Sequence, residues 1–230
     1  MSSICKDKMH TYELLKPVIR MPKTISFLDW DISDEYIEYK EYCDINEILK
    51  EIEKRFKYPL VIKKNKGSLG KNVDLCRDRD SVAFSLGEIF NKKSNEYDYV
   101  ALAQKFIPTQ EEFRLVCSFG KPVLAYRRGN ANEFNREYWK RGEHAVLLED
   151  QLIIDELYEF IKPIYSKFNI GFVGFDIIRG LDDMLYLIEL NSSPKFNHII
   201  ESSGEDCIIE MYEKCIHNFC LEKNLTNGSS

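Results

Sequence analysis

The stretch GFVGFDIIRGLDDMLYLIELNSSP, residues 171–194, constrains the fold more than any other part of the chain. Two apolar runs of strand length flank Leu181-Asp182-Asp183-Met184, and a turn there folds them into an antiparallel hairpin. With Asp182-Asp183 as a two-residue tip, Asp176 falls opposite Glu189, with Cβ atoms ~5 Å apart. Asn191, two residues further on, shares their face. Like charges set face to face destabilise a sheet, and an unmatched charge among Phe, Ile, Val and Leu is expensive. Solvation or lysine pairing of the two acids is the competing reading. Two carboxylates and an amide oxygen on an apolar hairpin nevertheless point to a hard cation of the Mg²⁺ type.

The rest of the chain supplies helices and more hairpins. Residues 44–56 form an amphipathic helix, with Asp44 and Glu47 at its start and Ile45, Ile48, Leu49, Ile52 and Phe56 on one stripe. A strand over 58–64 leads into the glycine loop NKGSLGKN, and a helix follows over 80–90. A strand is expected over 99–107, and EFRLVCSF and PVLAYRR make a hairpin about Phe119-Gly120-Lys121-Pro122. A long helix opens at Asp150 and reaches about Phe168, kinked or stopped near Pro163. The last helix, near 205–222, turns Ile208, Met211, Tyr212, Cys215, Ile216 and Phe219 toward the core. Segregated helices and antiparallel hairpins make the fold class α+β, in two lobes.

Lys63 ends its strand just ahead of Gly67, Ser68 and Gly70, and amides freed by glycine beside lysines suit a polyphosphate. The loop is not a Walker A motif, because Lys71 is followed by Asn72. A plain basic surface loop is the alternative, and the neighbouring metal reading weighs against it. The formal charge of -6 argues against a nucleic-acid binder working through a basic face. Seven cysteines without a CxxC pair, and four histidines without HxH or HExxH, leave oxygen as the expected metal donor. The charged N-terminal twenty residues and the lack of a span-length apolar run predict a soluble, cytoplasmic chain with no membrane contact.

Five segments in order, DKMHTYELL, PLVIKKNKGSLGKNV, AQKFIPTQEEFRLVCSFGKPVLAYRR, GFVGFDII and LIELNSSP, resemble the ATP-grasp superfamily of carboxylate–amine (or thiol) ligases. Within it the chain is most similar to the ribosomal-protein glutamate ligase (RimK-like) group. That resemblance implies an ATP-grasp fold in which two α+β lobes with antiparallel sheets hold the nucleotide between them. The expected divisions are a small lobe with the glycine loop over 1–103, a lobe with the metal site over 104–222, and a tail over 223–230.

The resemblance also implies roles. Lys8 and Lys63 hold the nucleotide phosphates, and the loop of Gly67, Ser68 and Gly70 closes over them. Gln104, Lys105, Phe106 and Ile107 are the hinge whose backbone reads adenine, and Glu112 takes the ribose hydroxyls. Asp176, Glu189 and Asn191 hold Mg²⁺, with Mn²⁺ as a substitute. Arg114, Arg127 and Arg128 face the reacting centre, and Arg136 and Arg141 are the basic segment meeting phosphate and metal, although Tyr138 stands where the group has asparagine. The first lysine is residue 8, so the α/β domain that precedes it in the group is expected to be missing. Either a partner chain supplies it, or the acceptor is a peptide or protein. The expected activity is an ATP-dependent ligase that forms an amide or ester through an acyl phosphate on an amino-acid, peptide or protein substrate. A small-molecule kinase on the same fold and a non-catalytic nucleotide-binding module are the alternatives.

Overall fold

An antiparallel sheet of four strands and another of five carry the chain in the computed structural model, which describes residues 4–32, 34–67, 72–129, 134 and 144–226. One compact unit joins Lys6–Glu13 to Pro22–Ile107, and the other joins Met1–Cys5 and Leu14–Met21 to Pro108–Ser230. The division expected at 103/104 lies inside a strand, Val100–Lys105, that is bonded on both sides within its sheet. No helix of the described residues is long and apolar enough to cross a membrane.

The first unit takes helix α1 (Lys8–Leu15) up to Glu13, its last two residues belonging to the other unit, and holds β1 (Thr24–Leu28), α2 (Ile45–Arg55), β2 (Leu60–Lys64), β3 (Val73–Cys76), α3 (Arg79–Ile89) and β4 (Val100–Lys105). Its sheet runs β1-β4-β2-β3. Asp44 caps α2 by accepting from the Glu47 amide at 3.0 Å, and Asp78 caps α3 from the Ser81 amide at 2.8 Å. Ile48, Leu49 and Ile52 of α2 and Val82, Leu86 and Ile89 of α3 pack on Leu60, Ile62, Ala101 and Ala103. By strand alternation Val61 and Lys63, with Leu102 and Gln104, belong to the opposite face of that sheet.

The second unit holds β5 (Thr109–Ser118), β6 (Lys121–Arg128), β7 (Ala145–Leu147), α4 (Gln151–Tyr165), β8 (Phe172–Gly180), β9 (Leu185–Asn191), α5 (Asn197–Ser203) and α6 (Asp206–Thr226). The strand order is β7-β6-β5-β8-β9. Phe119 and Gly120, at φ 48° and 75°, make the two-residue turn between β5 and β6. Leu157, Ile161 and Ile164 of α4 bury Phe113, Leu115, Phe175, Ile177 and Leu187 on one face. Val116, Leu124 and Tyr126 on the other face meet Ile199 of α5 and Ile208 and Met211 of α6. Helix α4 continues past Pro163 to Tyr165, so the proline neither stops it at that point nor ends its packing.

The C-terminal helix corrects an expectation. Ile208 and Met211 are buried and Cys215 is half-buried, but Tyr212, Ile216 and Phe219 are exposed. Two apolar stripes lie side by side on α6, and periodicity does not say which one faces the sheet. Asn218, buried and donating to the Ser118 carbonyl at 3.4 Å, fixes the rotation.

Arg179 of β8 ties α4 to the sheet. It donates to both Glu156 oxygens at 2.9 and 2.6 Å and to Glu111 at 3.1 Å, and its guanidinium lies 5.9 Å from the Phe113 ring centre. Arg127 also donates to Glu111, at 2.9 Å. It therefore lies on the α4 side of the sheet and does not join Arg114 and Arg128. The bond from Arg179 holds the Glu156 carboxyl below its usual range. A depressed carboxyl adds stability above its unfolded pKa and loses it as pH falls through the folded value. Arg179→Met is expected to cost about 2 kcal/mol at neutral pH and to flatten the acid-side loss of stability. Urea melts of both proteins between neutral and acid pH measure both effects.

Candidate active site

In the first unit three side chains form a buried chain on the sheet face away from α2 and α3. The Lys63 ammonium donates to Gln104 Oε1 at 3.2 Å, and Gln104 Nε2 donates to Thr24 Oγ1 at 2.8 Å. Lys63 and Gln104 are each only 6% exposed. Lys64, one residue on, pairs with Glu96. Lys8 opens α1 beside the same strand end: its ammonium donates to the Gly67 carbonyl at 2.7 Å, and Asn65 Oδ1 accepts from the Met9 amide at 2.8 Å. Gly67 has φ +122°, a backbone conformation that residues with a side chain rarely adopt, so this turn favours glycine. Gln104 and Lys105 end β4, and Phe106 and Ile107 lead out of the unit. Ser68, Gly70, Arg136, Tyr138 and Arg141 lie outside the described residues.

The second unit sets a row of side chains across four strands. Tyr126 of β6 pairs with Arg114 of β5, Arg114 with Asp176 of β8, and Asp176 with Glu189 of β9. Arg114 grips Asp176 with two bonds, Nε to Oδ1 at 2.6 Å and Nη2 to Oδ2 at 2.7 Å. Asn191 Nδ2 donates to Asp176 Oδ2 at 3.1 Å, and Arg128 stands 3.2 Å from the same oxygen and 3.0 Å from Glu112. Arg114 also reaches the Tyr126 hydroxyl at 3.4 Å and the Lys195 carbonyl at 3.5 Å. A Cβ on Gly174 would come within 3.1 Å of Pro194, so the segment after β9 lies tightly over this bare strand position.

The facing of Asp176 and Glu189 matches the expected pairing, but by another route. The loop holds three residues, Leu181, Asp182 and Asp183, with Asp183 at φ 61°, and Gly180 donates to Met184. Near that loop Ile177 pairs with Leu187, a register that would set Asp176 opposite Ile188 and turn Glu189 toward the α4 core. A bulge between Asp176 and Ile177 leaves Ile188 as the extra residue. It returns Glu189 and Asn191 to the Asp176 face. Neither the loop length nor the bulge is visible in the residue pattern, and their two one-residue errors cancel.

Charge compensation differs from expectation as well. Asp176 does not wait for a cation, because Arg114 and Arg128 already match it. Burial pushes its carboxyl up, but the two guanidiniums outweigh burial and hold it below the usual range. Burial pushes the Arg114 guanidinium down, and Asp176 more than reverses this. Glu112 goes the other way: burial raises it, and Arg128 pulls it only part of the way back.

The residues fit a hard cation. Among the described residues no three His, Cys, Asp or Glu side chains converge on one point. The donor set is two carboxylates and one amide, all oxygen, as Mg²⁺ prefers. Asp176 Oδ1 takes one N–H and keeps a lone pair, and the Asn191 amide uses its nitrogen on Asp176, which leaves its oxygen to offer. So small a set would leave most of the coordination sphere to water or phosphate oxygens. Tyr126 and Thr24 were missed from sequence; Tyr126 has the strand parity of Arg128, the signal that would have found it.

Comparison with known proteins gives the family and the fold. The family model described as the RimK-like ATP-grasp domain matches residues 6–215. The chain is 26% identical over 203 residues to the alpha-aminoadipate–LysW ligase LysX of Sulfurisphaera tokodaii, covering 85% of this chain and 62% of that protein. It is 25% identical over 201 residues to a D-alanine–D-alanine ligase of Pseudothermotoga lettingae, covering 84% of this chain and 59% of that protein. The chain thus spans about three fifths of the length of these curated relatives. The crystal structure of the Bacillus anthracis D-alanine–D-alanine ligase complexed with ATP aligns with a TM-score of 0.63 at 19% identity, over 97% of this chain and 69% of that one. It shows a shared ATP-grasp fold, which makes the expected α+β class an observed one.

Proposed function

Since the chain belongs to the RimK-like ATP-grasp family, we propose that it is an ATP-dependent ligase joining a carboxylate to an amine through an acyl phosphate. The observation that carries this reading is the row of Arg114, Asp176 and Glu189, Asp176 buried and the other two half-buried, with Asn191 beside it. A fold needs no such concentration of charge, whereas phosphoryl transfer is positioning plus charge neutralisation. The relatives' names describe joining of alpha-aminoadipate to LysW and of D-alanine to D-alanine. On that ground an amino acid or peptide is the proposed substrate class.

In the first step a carboxylate oxygen attacks the γ-phosphorus of ATP, the bond to the β–γ bridging oxygen breaks, and ADP leaves. In the second an amine attacks the acyl carbon, the carbon–oxygen bond to phosphate breaks with its electron pair going to phosphate, and the nitrogen loses a proton to solvent. Lys8 and Lys63 bind phosphate oxygens, and the loop of Gly67, Ser68 and Gly70 donates amides to them. The backbone of Gln104, Lys105, Phe106 and Ile107 holds adenine, and Glu112 offers a carboxylate oxygen to a ribose hydroxyl. Arg114 and Arg128 orient the carboxylate and the charge that builds on the transferring group, together with Arg136 and Arg141. Bound Mg²⁺ or Mn²⁺, held by Asp176, Glu189 and Asn191, would supply charge neutralisation at the phosphates.

The test incubates the chain with MgATP and sets of amino acids and peptides, and follows ADP and product mass. A condensation product appearing with ADP and phosphate supports the ligase, and a phosphorylated acceptor assigns a kinase instead. Saturating MgATP is expected to raise the melting temperature, by about 2.7 kcal/mol of stability at a hundred times Kd. Lys63→Ala should lose most of that shift. An unchanged melt in folded wild-type protein would remove the nucleotide from the assignment.

A further inference from the structure

The exposed face of α6 is a second apolar stripe with no use in the reading above. Ile209, Tyr212, Ile216 and Phe219 are 54%, 51%, 64% and 47% exposed, and they recur at three- and four-residue steps. That is an a/d seam beside the Ile208, Met211 and Asn218 positions buried on the sheet, and its last ring, Phe219, also lies 5.9 Å from the ring of Phe119 in the β5–β6 turn. The seam continues one turn each way into opposite charges. Glu205 is exposed one turn before Ile209, and its backbone carbonyl accepts from the Ile208 and Ile209 amides at the helix start. Lys223 lies one turn beyond Phe219, and its ammonium sits 5.6 Å from that ring centre, which sets it on the same stripe.

We infer that this face binds the same face of a second copy of the chain, with the two α6 helices antiparallel. The seam is its own complement in that direction. Ile209 meets Phe219 of the second copy, Tyr212 meets Ile216, and Glu205 meets Lys223, each pair at one height along the axis. These are the a-with-d layers of an antiparallel pair. A parallel pair would set Glu205 on Glu205 and Lys223 on Lys223, so the end charges select the direction. Two helix dipoles are also opposed in this arrangement. The contact is a two-fold one, closing on itself without a free complementary surface. It is also small, so the dimer forms and dissociates with protein concentration.

Sedimentation velocity over a concentration series tests this. The wild-type chain is expected to pass from monomer to dimer as concentration rises. Glu205→Lys alone, or Lys223→Glu alone, sets like charges at both ends and should weaken association about tenfold or more. An equimolar mixture of the two variants restores opposite charges at both ends of a mixed dimer and should associate like wild type. Ile216→Asp should abolish association in every combination. Helix content and melting temperature, read on each variant, show that these exposed positions leave the monomer folded. A wild-type chain that stays monomeric throughout overturns the inference, and so do single variants that associate normally or a mixture that fails to recover.

Discussion

Glu189→Gln is expected to lower ATP turnover by about two to four orders of magnitude and to leave the melting temperature of the nucleotide-free protein nearly unchanged. The two halves of this expectation have different sources. Turnover falls because one of two carboxylates at the proposed cation site loses its charge. Stability holds because the buried charge of Asp176 is matched by Arg114 and Arg128, and the substitution leaves both of those pairs in place. Mutual repulsion of the two acids, expected from sequence, would instead predict a gain in stability. Thermal melts without metal, beside ADP release at saturating Mg²⁺, measure both. A variant melting several degrees lower with normal turnover would assign Glu189 to the fold.

Arg114→Met should show the reverse emphasis in stability. Asp176 would keep Arg128 and Asn191 but lose its two shortest bonds, with its side chain only 7% exposed. Removing one member of a buried pair typically costs 3–5 kcal/mol, and the remaining partners place this case at about 3. For a chain of this size that is a melting-temperature drop of roughly 6–12 °C. The double change Arg114→Met with Asp176→Asn removes the stranded charge and should recover most of the loss. Equal melts for the single variant and wild type would show that the Arg114–Asp176 bonds do not stabilise the fold.

What was legible in the sequence was local. Asp44 and Asp150 announced their helices, and apolar alternation gave β5, β6, β8 and β9. The strands β1 and β3, of five and four residues, carry too little pattern of their own and exist through their bonds to β4 and β2. Helices α1 and α5 lack a stripe long enough to read. At the candidate site, the residues that bear charge were readable by type and parity, but their partners were not. Arg114 and Asp176 are 62 positions apart, and nothing near either one says that they share a bidentate bond. Strand parity does put Arg127 and Arg128 on opposite faces, and only their adjacency in one basic run made them look equivalent.

The bulge at Ile188 gives strand β9 something like a reading frame. Substitutions along it change one contact at a time, and the lattice of backbone bonds tolerates many of them. A change in chain length does not behave that way. Losing or gaining one residue between the loop and Glu189 would exchange the faces of every side chain beyond it, burying Glu189 and Asn191 among the leucines under α4 and presenting Leu190 in their place. The sheet would keep its strands and lose its chemistry. In this fold, insertions and deletions in a single strand should therefore separate active from silent descendants far more sharply than point changes at the same positions.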